Sequence, residues 1–222
     1  MSETPPTILL VHGFASSYRA TWGEYGWAEL LDDLGYTVVP FELPGHGNST
    51  VLASSEEETL EALCSVLERN GIRVAMGFSA GSVLLLRAAH ARPDLLDRLA
   101  LLGLGDAMWG DGIHHLADRL LADHDSDEGE LRLLRQIAAH AGNDLESVAA
   151  YARIAPTPPP FGALHTVTAD VLVVLGDEDT VGPATRLIDS LPNADLVRLA
   201  RTDHYRTASS PVAMQAVASF FS

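Results

Sequence analysis

Short apolar runs alternate along this chain with longer stretches in which apolar residues recur every three or four positions. That alternation predicts strands joined by crossover helices, and hence an α/β fold on a parallel sheet. The apolar runs predict strands at 7–11, 36–41, 73–77, 98–103, 171–175 and 195–199. Most are nearly continuous in apolar residues, as strands covered on both faces must be. Helical spacing predicts helices at 22–34, 56–70, 80–91, 183–191 and 211–221. Gly35 and Gly71 stand just past two of them, where glycine readily takes the left-handed conformation that ends a helix. Pro183 and Pro211 suit a first helical turn, in which a missing N–H costs no hydrogen bond.

The alternation stops at Asp106. From there to about Thr168 no run reads as a strand, and helical patterns fit instead at 112–122, 128–140 and 144–154. The run Pro156-Thr-Pro-Pro-Pro160 then leads back to the sheet as a stiff, extended connector. The expectation is one domain over 1–222: a mostly parallel six-stranded sheet with helices on both faces, and residues 106–168 as a small helical cap insertion over the C-terminal edge. A chain of 222 residues, 47% of them hydrophobic, is long enough to bury one full core.

Charge narrows the partners. The net charge is −16, which repels phosphate backbones and anionic membrane surfaces alike. Neither nucleic acid nor membrane is expected as a partner. Every cation is an arginine, so a lysine nucleophile or Schiff base is excluded. The lone cysteine, Cys64, falls in an apolar helical pattern with Leu60, Leu63 and Leu67, and reads as a small buried hydrophobe. The N-terminal residues lack a signal peptide's positive region, and the apolar stretch 95–104 is short and interrupted by Asp97 and Arg98. A cytoplasmic location is the default expectation.

The strongest chemical signal is Gly77-Phe78-Ser79-Ala80-Gly81, which follows one apolar run and opens a helical one. A nucleophilic serine needs this strand–turn–helix setting, with small neighbours that let its hydroxyl project from a strained turn. The following helix N-terminus offers free N–H groups to developing negative charge. The same letters also fit a plain glycine-rich turn. A second signal, His12-Gly13-Phe14, directly follows the first strand. There the Phe14 N–H, with that of Ala80, is a candidate oxyanion hole; the alternative is an ordinary strand-end turn in which His12 makes a structural hydrogen bond.

These residues, with Glu42-Leu-Pro-Gly-His-Gly-Asn-Ser49, Gly176-Asp-Glu-Asp179 and Asp203-His204, resemble the α/β-hydrolase family over nearly the whole chain and in its order. The resemblance implies a catalytic triad of Ser79, Asp179 and His204, with Asp177 the main rival for the acid and Glu178 a weaker one. It implies an acyl-enzyme mechanism on carboxylic esters of small or medium acyl groups, with no cofactor and no metal. The same family also holds C–C bond hydrolases, lyases and cofactor-free perhydrolases, and non-enzymatic receptors on the same scaffold. A serine nucleophile argues against the haloalkane dehalogenase and epoxide hydrolase branches. The family typically has Asp where this chain has Glu42, a change expected to alter loop hydrogen bonding more than chemistry. The sheet is expected to begin at the family's third strand.

Other histidines read as structural or solvated: His46 in the Pro-Gly-His-Gly turn, His90 on a helix, and His114, His115, His124, His140 and His165 in the insertion. Trp109, Ile113, Leu116 and Phe161 are candidate pocket walls, or else packing within the small helices. Acidic residues outnumber Arg119, Arg132, Arg135 and Arg153 in the insertion, which favours neutral esters over polyanionic thioesters.

Overall fold

The computed structural model describes residues 5–110, 113–122 and 129–222. Six strands form one sheet: β1 (Thr7–Val11), β2 (Thr37–Phe41), β3 (Val74–Phe78), β4 (Arg98–Leu102), β5 (Asp170–Gly176) and β6 (Ala194–Leu199). Their order is β2-β1-β3-β4-β5-β6, and every neighbouring pair is parallel. The sheet is therefore wholly rather than mostly parallel. Successive strand residues point to opposite faces, so Leu9 and Val11 join one core while Ile8 and Leu10 join the other. Pro40 lies on the edge strand β2, where a missing donor breaks no inner ladder.

One face is covered by α3 (Glu56–Asn70), α4 (Ala80–Ala91) and α8 (Thr185–Ser190), and the other by α2 (Trp27–Asp33) and α9 (Pro211–Phe221). α3 and α4 run as their patterns predict. Ser55 caps α3 by accepting the Glu58 N–H, and Gly71 ends it with φ 60°. Pro211 occupies the first turn of α9 behind the Ser210 cap. Cys64 is buried in the α3 core, and burial pushes its thiol pKa up.

Two helix expectations need correction. The stretch 22–34 is not one helix: α1 (Tyr18–Thr21) and a 3-10 turn (Gly23–Tyr25) precede α2. Gly26 sits between them with φ 80°, and the break lets Trp22 and Trp27 both bury edge to face, 5.5 Å apart. Nor does Pro183 open a helix. Its carbonyl accepts the Asp106 N–H, and α8 starts at Thr185 with the Asp106 carboxylate accepting from Arg186 and Leu187 N–H.

Between β4 and β5 lie a 3-10 turn (Asp106–Trp109), α5 (Leu116–Leu121), α6 (Gly129–Ala141) and α7 (Leu145–Ile154). Residues 112 and 128, which open two of the expected helices, and His124 lie outside the described residues. A further 3-10 stretch (Phe161–Thr166) follows the proline run. Among the described residues, no helix is long and apolar enough to cross a membrane.

Candidate active site

β3 passes directly into α4, leaving Ser79 alone at the junction with φ 52° and ψ −114°. A non-glycine residue adopts this conformation only where its surroundings impose it. The Ser79 N–H donates to the Leu102 carbonyl at 2.9 Å. The glycines on either side allow backbones to meet. A Cβ on Gly77 would lie 2.7 Å from the Gly81 carbonyl carbon and the Ser82 nitrogen, and one on Gly81 would press into the Val11 and His12 carbonyl oxygens. The turn is thus wedged against the end of β1 by main chain alone.

Three chain segments meet at this serine. The loop after β6 brings His204, whose Nε2 lies 2.9 Å from Ser79 Oγ. The loop after β5 brings Asp179, whose Oδ2 and Oδ1 lie 2.9 and 3.1 Å from His204 Nδ1. An ionised carboxylate only accepts, so Nδ1 carries the proton and the Nε2 lone pair faces the hydroxyl. The Asp179 side chain is fully buried and that of His204 is 15% exposed. Asp179 is held in turn by the Val181 N–H, 3.0 Å from Oδ1. The rival Asp177 points elsewhere and accepts the Thr202 N–H, while Glu178 is exposed. Phe78 packs against the imidazole at 5.1 Å. Gly103 leaves room for both rings, since a Cβ there would lie 2.8 Å from Phe78 Cε2 and 3.1 Å from His204 Cε1.

The turn after β1 lies beside it, with Phe14 and Ser16 lining the same cavity as Ser79. Among the described residues, neither the Phe14 N–H nor the Ala80 N–H has an acceptor within the protein. Ala15 has φ 62°, and its N–H donates to His46 Nε2 at 3.1 Å. His46 Nδ1 donates to the Pro44 carbonyl at 2.9 Å, which fixes the tautomer. Burial and the neighbouring His12 hold the His46 pKa down at about 3, so the ring is neutral. Of the two readings of His46, the buried structural one applies. His12 is also buried; its Nδ1 donates to the Gly13 carbonyl and its Nε2, which accepts the Leu43 N–H at 3.1 Å, lies against Glu42 Oε2. Glu42 accepts the Tyr18 N–H, and Gly47 is a glycine because a Cβ would strike that carboxylate. Glu42 therefore ties the loops behind the site together.

A cavity of about 410 Å³ opens onto Ser79 and His204. Its walls are mainly apolar, with Phe14, Phe78, Ile113, Leu116, Ile137 and Val181 among them, and Tyr25 and Tyr205 stand half-exposed at its edge. Of the expected wall residues, Ile113 and Leu116 line it. Trp109 and Phe161 do not: their rings stack on each other at 4.2 Å, Trp109 Nε1 donates to the Pro159 carbonyl, and the Arg186 guanidinium covers Phe161. Each aromatic found a partner outside the pocket, something spacing does not reveal. The contribution of α6 was missed, although its apolar stripe (Leu133, Leu134, Ile137) is visible in the sequence. His90, His165 and His140 bond to Thr166, Gly162 and Glu24 respectively. Among the described residues, no group of three or more His, Cys, Asp or Glu is arranged to hold a metal ion.

A parallel sheet with a serine at the turn after β3, and an acid and a histidine after β5 and β6, is the architecture of one class of α/β proteins. The sequence matches the alpha/beta hydrolase family over residues 8–217, and the chain belongs to that family. Among solved structures it is similar to a hydrolase from Pseudomonas aeruginosa (TM-score 0.73, 20% identity, 99% of this chain and 91% of that one). It is also similar to the enol-lactonase from Burkholderia xenovorans LB400 (0.72, 19%, 97% and 91%). A third similar structure is the monoacylglycerol lipase of Paleococcus ferrophilus (0.68, 19%, 98% and 95%). At these identities the likeness is one of fold. No curated protein matches the sequence significantly.

Proposed function

We propose that this protein is a serine hydrolase that cleaves carboxylic esters of small or medium acyl groups through an acyl-enzyme. The observation that carries the reading is the unbroken relay from Ser79 Oγ through His204 to buried Asp179, with 2.9 Å at each link. In it, Ser79 Oγ attacks the ester carbonyl and its proton passes to His204 Nε2. Asp179 holds the imidazole in register and stabilises its cation. The Phe14 and Ala80 N–H groups receive the oxyanion, aided by the N-terminal end of α4. As the C–O bond breaks, His204 returns the proton to the leaving alkoxide, which departs as the alcohol. Water then attacks the acyl carbon, giving its proton to His204, and the acid leaves as Ser79 recovers its hydrogen.

The apolar walls suit an uncharged acyl chain, and 410 Å³ falls within the usual size for small-ligand pockets. A net charge of −16 disfavours nucleic acid and anionic membrane as partners. The relatives' names, a lactonase and a lipase, supply acyl–oxygen chemistry of the same kind. A fluorophosphonate probe is expected to label Ser79, and Ser79→Ala to lower turnover of p-nitrophenyl butyrate by at least about 10³-fold with an unchanged melting temperature. Equal turnover in the variant would refute the assignment. Strong labelling with poor turnover across an ester panel would move the chemistry to C–C bond cleavage or perhydrolysis on the same residues.

A further inference from the structure

We infer that Asn143, at the junction of α6 and α7, is the positioning residue that sets the Phe14 N–H for the oxyanion; this rests on the hydrolase reading above. Its side chain is half-buried and fully engaged. Nδ2 donates to the carbonyls of Ala15 (2.9 Å) and Ser16 (2.8 Å), and Oδ1 accepts the Gly47 N–H (2.8 Å). One carboxamide therefore binds both loops behind the candidate oxyanion hole. The two groups of the left-handed Ala15 are held from opposite sides, its N–H by His46 and its carbonyl by Asn143. An Ala in that conformation relaxes unless it is restrained, and relaxation would displace Ser16, whose N–H donates to the Gly13 carbonyl at 3.2 Å, and so turn the Gly13–Phe14 peptide that carries the Phe14 N–H.

Asn143 is itself fixed before it reaches the loop. Gly142 (φ 77°) ends α6, with Gly142 N–H donating to Ala139 and Asn143 N–H to Ala138 in the closing pattern of a helix end. Asp144 caps α7 by accepting the Ser147 N–H at 2.9 Å. The carboxamide thus projects from a junction set by two caps, and the segment between β4 and β5 supplies a restraint that the sheet lacks. A second tie runs alongside: Arg19 donates to the His140 carbonyl and Glu24 contacts His140 Nε2. Both are exposed, so they add little to the restraint.

The test uses the whole protein and Asn143→Ala, with active sites counted by fluorophosphonate titration. The expected loss is about 10²-fold in kcat on p-nitrophenyl butyrate, the scale of a small misplacement of catalytic groups, with KM within about threefold. Affinity for an alkyl trifluoromethyl ketone, whose adduct with Ser79 carries an oxyanion, should fall by the same factor. Amide hydrogen exchange at Ala15 should quicken at least about tenfold while exchange in β3 stays as in the parent. An unchanged kcat overturns the inference, as does a loss confined to KM or to the number of titratable sites with ketone affinity intact. Unchanged exchange at Ala15 overturns it as well. A parent protein that neither turns over esters nor reacts with the probe sinks the hydrolase reading instead, and the exchange measurement then still decides whether Asn143 holds the loop.

Discussion

Two turns at the C-terminal edge of the sheet border one cavity, and they are held in different ways. The turn around Ser79 is locked by its own glycines, which let the backbone of β1 press against that of α4. The turn around Phe14 and Ala15 is locked by side chains from positions far along the chain, His46 and Asn143. Both hold a residue at positive φ, Ser79 at 52° and Ala15 at 62°. The first restraint is steric and insensitive to pH. The second is polar, built from a neutral imidazole and a carboxamide, and so open to protonation and to single substitutions elsewhere.

Putting a methyl group into each turn separates the two. Gly81→Ala drives a Cβ into two backbone carbonyls that cannot move without shifting β1, and is expected to cost about 3 kcal/mol or more, read as a collapse of the urea midpoint. A midpoint near that of the parent protein would show that the Ser79 turn is not wedged as described. Gly13→Ala meets chiefly the Phe78 ring, 2.7 Å from Cδ1, which can tilt. About 1 kcal/mol is expected there, with a larger proportional loss of turnover because Phe78 packs on His204. Should Gly13→Ala prove the more destabilising of the pair, the ranking of the two turns is wrong.

Acid probes the polar turn alone. With its folded pKa near 3 against about 6.5 when unfolded, buried His46 takes up no proton in the range where the unfolded chain does. Above pH 6.5 the two states bind protons equally at this site and nothing is lost. Below it, stability falls by about 1.4 kcal/mol per unit until the pH approaches 3. Unfolding free energy should therefore be about 1.4 kcal/mol lower at pH 5.5 than at pH 7.5 from this residue, and His46→Gln should remove that increment. Identical pH dependence in the two proteins would mean that His46 is not the buried neutral group described.

The same contrast explains what could be read without coordinates. The Ser79 turn was legible because its requirement is local: small residues at fixed offsets between an apolar run and a helical one. Asp179 was separable from Asp177 only by resemblance, since two carboxylates two residues apart look alike until one faces an imidazole. The stretch 22–34 was misread because its apolar spacing is helical throughout. Only the burial of Trp22 and Trp27 reveals that Gly26 breaks it. Trp109 and Phe161 stayed open between two readings, because an aromatic residue in an apolar context fits a pocket wall and a packed pair equally well; the packed pair is the one that applies.

By itself the sequence determined the six strands, the long helices α3 and α4, and the serine at the end of β3, because each depends on periodicity or on neighbours a few residues away. Tertiary structure alone decided which acid meets His204, which side chains wall the cavity, and how the Phe14 turn is restrained. Those outcomes rest on contacts between residues some 25 to 128 positions apart, such as Asp179 with His204 and Asn143 with Ala15. Hydrogen bonds of that kind depend on distances of a few ångströms set by the assembled sheet, and local pattern carries no record of them.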